Sequence, residues 1–170
     1  MLFVPSVTGT IVVRLAPPPD PARSNLRYHR QGGTAVPTLE GLPLFKPPYS
    51  RVTAVDMNTG EHLFWIPIGE VDEDIKNHAA LQGVDTSRFG GSGNAVSMVT
   101  GTLLITTEGN GGRPMLHAWD KATGEHRGTV ELPTRGMYGM MTYMHEGNQY
   151  IVVQIGGSDY PSSLVALAFP

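Results

Sequence analysis

The feature that most constrains this chain is a segment that occurs twice. Ala54-Val55-Asp56-Met57-Asn58-Thr59-Gly60-Glu61-His62 returns 64 residues later as Ala118-Trp119-Asp120-Lys121-Ala122-Thr123-Gly124-Glu125-His126, identical at six of nine positions. Each copy lies between short apolar runs. Each centre carries turn chemistry, with Asp or Asn to bond nearby backbone amides and Gly to take a positive φ. The reading is strand, tight turn, strand, used twice. A unit that cannot bury its own apolar face must stack on a neighbour, so the repeat points to an array of small β-sheets.

The rest of the chain fits that reading. After about Gly83 the apolar residues fall in short runs: Ala95 to Val99, Thr102 to Glu108, Met115 to Asp120, His126 to Leu132, Gly139 to His145, Gln149 to Ile155 and Ser163 to Phe169. Turn-forming residues bound them at the close spacing of an antiparallel all-β fold, and no helix is needed there. Met1 to Ala16 reads as two strands and a turn, and Arg51 to Asp56 with His62 to Ile66 as a hairpin. Between Pro17 and Tyr49, frequent Pro and Gly predict a long loop with a short strand near Leu26 to His29. Val71 to Leu81 suits one or two helical turns or a solvated loop. With 170 residues, one domain is expected rather than two catalytic ones.

Composition removes several function classes. A net charge of -3 with no basic run lacks the electrostatic footprint of nucleic-acid binding. The absence of cysteine excludes disulfides, thiolate metal sites and cysteine nucleophiles. The apolar amino terminus is interrupted by Pro5 and Gly9, so no membrane-spanning segment is expected.

Beyond the hairpin itself, four stretches carry a resemblance: Leu42 to Trp65, Leu116 to Pro133, Met141 to Gly157 and Ser163 to Pro170. In their order and spacing they resemble the carboxy-terminal part of the pyrroloquinoline-quinone (PQQ)-dependent dehydrogenases, in the branch of the quinoprotein glucose dehydrogenases. The resemblance implies an all-β chain of about three blades of an eight-bladed β-propeller. Residues 1–50 would form a partial blade and long loop, and residues 51–170 the repeat-containing blades. It also implies PQQ and calcium as cofactors, a periplasmic location, and an upstream part of the propeller or a partner subunit. The substrate would be an alcohol or a sugar. In that family the aspartate base, the calcium ligands and the tryptophan beneath the quinone lie in earlier blades. No segment here matches those motifs, so no catalytic residue and no metal ligand is assigned. Gly156 and Gly157 are the positions that the resemblance places near the quinone, by close backbone approach, and an ordinary turn is the alternative. Trp65, at the end of the first repeat, is expected to pack at a blade junction; its counterpart in the second is Thr129.

Other residues weigh toward structural roles. Asp56 and Asp120 read as turn formers rather than an acid/base pair. His29, His62, His78, His117, His126 and His145 show no metal-ligand spacing, and His62 and His126 read as solvated. Asp72, Glu73 and Asp74 lack the alternating oxygens of a calcium loop. Met137, Met140, Met141 and Met144, with Tyr138 and Tyr143, read as core packing. Gly90 to Asn94 and Gly109-Asn110-Gly111-Gly112 fit neither nucleotide-loop pattern. The functions that remain are a portion or subunit of a PQQ-dependent dehydrogenase, inactive alone, or a non-catalytic β-rich binding or structural module.

Overall fold

A computed structural model describes residues 1–109 and 112–168, so the readings that fall on Asn110, Gly111, Phe169 and Pro170 lie outside the described residues. The chain divides into two compact units, one of Met1–Thr8 with Pro47–Pro170 and one of Gly9–Lys46.

In the larger unit, β1 (Leu2–Val7) pairs antiparallel with β4 (Ser50–Val55), and β4 with β5 (His62–Pro67), forming a first sheet. The smaller unit holds β2 (Ile11–Ala16) and β3 (His29–Ala35), paired to each other alone among the described strands. Returning to the larger unit, a one-turn helix α1 (Glu73–Lys76) and a 3-10 turn (Ala79–Leu81) follow β5. Next come β6 (Ser97–Val99), β7 (Leu103–Thr107), β8 (Met115–Asp120) and β9 (His126–Glu131), a four-stranded meander. Last are β10 (Gly136–His145), β11 (Asn148–Gly157) and β12 (Tyr160–Ala168), a three-stranded meander. Every pairing is antiparallel, and the all-β expectation holds.

The repeated hairpins are built alike, and the repeated residues explain why. The Asp56 and Asp120 carbonyls accept from the amides of Gly60 and Gly124, at 2.7 and 2.8 Å. Asp56 Oδ1 accepts from the Asn58 amide, and Asp120 Oδ1 from the Ala122 and Thr123 amides. Thr59 and Thr123 each accept, at 3.2 Å, from the amide of the Glu two residues on. Asp, Thr and Gly are thus the residues the turn requires, and the two aspartates are turn formers. Both hairpins carry a register shift one residue before the turn, at Ala54/Val55 and Ala118/Trp119.

Two apolar clusters join successive sheets of the larger unit. Val52, Ile66 and Ile68 of the first sheet region bury against Leu104 of the middle sheet, with Phe3, Phe64 and Trp119 packed alongside. Ile105, Leu116 and Leu132 of the middle sheet region bury against Val153 and Ile155 of the last. The middle sheet therefore presents apolar side chains on both faces, as a sheet between two neighbours must. These are successive blades of a partial β-propeller.

Three expectations change. Trp65 does not form the junction. It stands opposite Thr53, on the other face from Ala54, Phe64 and Ile66, and its ring lies under the Arg88 guanidinium at 4.1 Å. Phe64, opposite Ala54, makes the junction instead. The span from Pro17 to Tyr49 is not one loop, because β3 pairs with β2 across the shift between Val13 and Arg14. The strand expected at Leu26 to His29 in fact begins at His29. Core packing also fails for part of the methionine group. Met140 packs on the second cluster, but Met141, Met144 and Tyr138 are exposed.

Candidate functional site

Gly156 and Gly157 end β11, where a register shift separates Ile155 from Gly157. Gly156 is buried and its amide donates to the Arg135 carbonyl at 3.1 Å. A Cβ there would come 3.1 Å from Ser162 Oγ and 3.2 Å from Met137 Sδ, so the close approach at Gly156 is to this chain's own side chains. Gly157 is exposed, and a Cβ would meet only Thr134 Oγ1, at an ordinary 3.6 Å. Of the two, Gly157 presents open backbone that a flat ligand could approach.

A buried ionisable group with several bonds lies elsewhere. Glu108, just past β7, is 2% exposed. Its Oε2 accepts from the Arg113 amide at 2.9 Å, and its Oε1 contacts Arg113 Nη2 at 3.3 Å and His117 Nε2 at 3.0 Å. Arg113 also reaches Glu70 at 3.2 Å. Burial pushes the Glu108 carboxyl up, but the bonds from His117 and Arg113 and the Arg113 charge outweigh it, and the net shift is downward. Glu108 is therefore a carboxylate near neutral pH.

From Glu108 the contacts continue through β8 into β9. His117 lies directly across from Thr129, and Trp119 across from His126. His117 Nδ1 lies 3.4 Å from His126 Nε2, and Thr129 Oγ1 lies 3.2 Å from the first and 3.0 Å from the second. The Trp119 ring is edge-on to His126 at 4.8 Å, and its Nε1 donates to Thr106 Oγ1 at 2.9 Å. On the outer side of the same hairpin, Arg127 donates to Asp120 Oδ2 at 2.9 Å, and this bond, with the turn amides, lowers the Asp120 pKa.

Read singly, His117 and His126 carry no ligand spacing, and so sequence reasoning missed them. They are nine residues apart on the two strands that flank a recognisable turn, and that placement was the available signal. Their neighbour Glu108 ends a run of β-branched residues and gave none. The reading of His126 as merely solvated is thus incomplete: it is exposed, and it is also partnered.

Calcium takes roughly six to eight oxygen ligands. Among the described residues no group of three or more His, Asp or Glu side chains converges on one point. Asp72 precedes α1, and Glu73 bonds Lys76 and Asn77 within that turn. The described residues therefore offer no cluster of acidic side chains for the calcium that the resemblance implies.

Comparison with known proteins places this chain. The family model described as glucose/ethanol/alcohol dehydrogenase, beta-propeller domain (PQQ), matches residues 18–151. Over 139 residues the chain is 30% identical to the glycerol dehydrogenase large subunit of Gluconobacter thailandicus, covering 76% of this chain and 18% of that protein. It is likewise 30% identical over 139 residues to quinoprotein glucose dehydrogenase A of Acinetobacter calcoaceticus, covering 76% and 16%. A probable quinate dehydrogenase (quinone) of Xanthomonas campestris pv. juglandis is 30% identical over 124 residues, covering 69% and 15%. The fold and these matches define β-propeller sheets of the quinoprotein dehydrogenase kind. The chain belongs to the PQQ-dependent dehydrogenase family, and it spans less than a fifth of the length of these relatives.

Proposed function

We propose that this chain is the carboxy-terminal portion of the propeller of a periplasmic PQQ-dependent dehydrogenase that oxidises an aldose or another alcohol, and that it is inactive alone. The observation that carries the reading is the build of its sheets. The middle sheet has four strands, whereas the first and last have three described strands each. The family match, residues 18–151, covers β4 and β5 of the first sheet, the whole middle sheet and β10 of the last.

In this reading the chain's role is positional. Its hairpins hold successive sheets in register, and the open backbone at Gly157 lies at the end of a strand where a planar cofactor could rest. Bound PQQ would supply two-electron oxidation of a hydroxyl-bearing carbon. The base and the calcium ligands that such chemistry requires would come from other sheets, on the same or a partner chain.

A segment swap tests this directly. Residues 42–168 would replace the matching segment of the Gluconobacter thailandicus relative, and the chimaera would be assayed for quinone-dependent oxidation of that enzyme's substrate. Retained activity supports the reading. A chimaera that folds and binds PQQ but places none of this segment beside it would instead favour the non-catalytic module.

A further inference from the structure

We propose that His117, His126 and Thr129 form a binding site for a divalent transition-metal ion of the kind imidazole prefers, Cu²⁺ or Zn²⁺.

The geometry supplies the argument. His117 Nδ1 and His126 Nε2 lie 3.4 Å apart. Two imidazole nitrogens at about 2.0–2.1 Å from one ion, at a tetrahedral angle, would stand roughly 3.3–3.4 Å from each other. The Thr129 hydroxyl oxygen, 3.0 and 3.2 Å from the two nitrogens, takes a third corner of the same polyhedron. His126 and Thr129 are exposed, which leaves a face for water.

The second nitrogen of His117 strengthens the case. It is held at 3.0 Å by buried Glu108. An ionised carboxylate has no proton to give, so His117 Nε2 must be the donor. Nδ1 is then left with its lone pair turned toward His126, the tautomer a metal ion requires. A carboxylate behind a ligating histidine is the usual outer support of such ions, fixing ring orientation and raising basicity. Arg113, which also bonds Glu108, keeps that support in place.

The first hairpin provides an internal contrast. The positions matching His117, His126 and Thr129 there are Thr53, His62 and Trp65. It has a single imidazole and no hydroxyl at the third position, so the ligand set belongs to the second hairpin alone. Two imidazoles with a neutral oxygen select Cu²⁺ and Zn²⁺ over Ca²⁺ and Mg²⁺, which take oxygen ligands.

The test is titration of the full 170-residue chain with CuCl₂ near neutral pH in a non-coordinating buffer, followed by calorimetry and tryptophan fluorescence. One equivalent should bind. Trp119 should be quenched, because its ring is 4.8 Å from that of His126, and Zn²⁺ should compete where Mg²⁺ does not. His126→Ala alters an exposed side chain and should preserve the fold, checked by circular dichroism, while abolishing the one-equivalent phase. Glu108→Gln should weaken the affinity by about tenfold or more. His62→Ala should change nothing. Absence of binding to the unaltered chain, or binding that survives His126→Ala, would overturn the proposal.

Discussion

Gly124 of the second hairpin lies against the ring of Phe64 in the first. A Cβ at Gly124 would come 2.7 Å from Phe64 Cδ2, 2.8 Å from Cε2 and 3.2 Å from Ile66 Cγ2. Gly60, the matching residue of the first hairpin, has a similar φ of +78° against +75°, but nothing within 4 Å of its would-be Cβ. The pair separates conformation from contact. Gly60→Ala should cost about 1–2 kcal/mol for the left-handed backbone alone. Gly124→Ala should cost about 1–3 kcal/mol more, as overpacking between the sheets. Urea unfolding of both variants checks this, and equal losses would mean that the turn does not dock on Phe64.

Phe64 and Trp65 are neighbours with different duties. Truncating Phe64 to Ala opens the contact between sheets and should cost about 3 kcal/mol, the lower end of the range for core phenylalanine, because the ring is only partly buried. Trp65→Ala removes a ring stacked under Arg88 and should cost clearly less, near the 0.5–1 kcal/mol of an exposed cation–π pair plus some packing, about 1–2 kcal/mol in all. Thermal unfolding of the two variants side by side measures the order, and a reversed order would return the junction to Trp65.

Acid should act through Glu108. Its folded pKa is below the ordinary 4.5, because the bonds from His117 and Arg113 and the Arg113 charge outweigh burial. A carboxyl with a depressed folded pKa contributes stability that is present above its unfolded pKa and lost as pH falls through the folded one. Stability should therefore decline as pH drops below about 4.5. Glu108→Gln should flatten that part of the profile while lowering stability near neutrality. Urea midpoints from neutral pH down to about 3 would show it. An unchanged acid limb in Glu108→Gln would mean that other carboxylates carry it.

Gly157 tests the placement of the quinone. Its would-be Cβ has room, so Gly157→Ala should leave unfolding within about 0.5 kcal/mol of the parent. If the cofactor rests on this backbone, the same change in the active chimaera should weaken PQQ binding, read by titration of quinone absorbance. Unchanged affinity would make Gly157 part of an ordinary turn.

Much of this fold was legible because turns punctuate it. β8 runs over the residues expected, and the Asp, Thr and Gly of each hairpin were readable from their chemistry alone. The misreadings have separate physical causes. In a strand, a shift of one residue exchanges the two faces, so the larger aromatic at Trp65 was credited with the contact that pleat parity gives to Phe64. β3 was hidden by Gly32, whose φ of +66° absorbs the extra residue of a bulge between paired strands. His117 and His126 became neighbours only when the register fixed which residues face each other across β8 and β9. Met141 and Met144 looked like core filler by type, yet they stand on β10 with exposed side chains.

Under the proposed function this chain, which spans less than a fifth of the length of its relatives, positions a cofactor without completing its site. Reconstitution of the purified chain is the direct measurement: incubation with PQQ and Ca²⁺, then dye reduction with glucose, glycerol and simple alcohols. The expected result is no calcium-dependent turnover and at most weak binding of the quinone. Calcium-dependent turnover by the purified chain would contradict it.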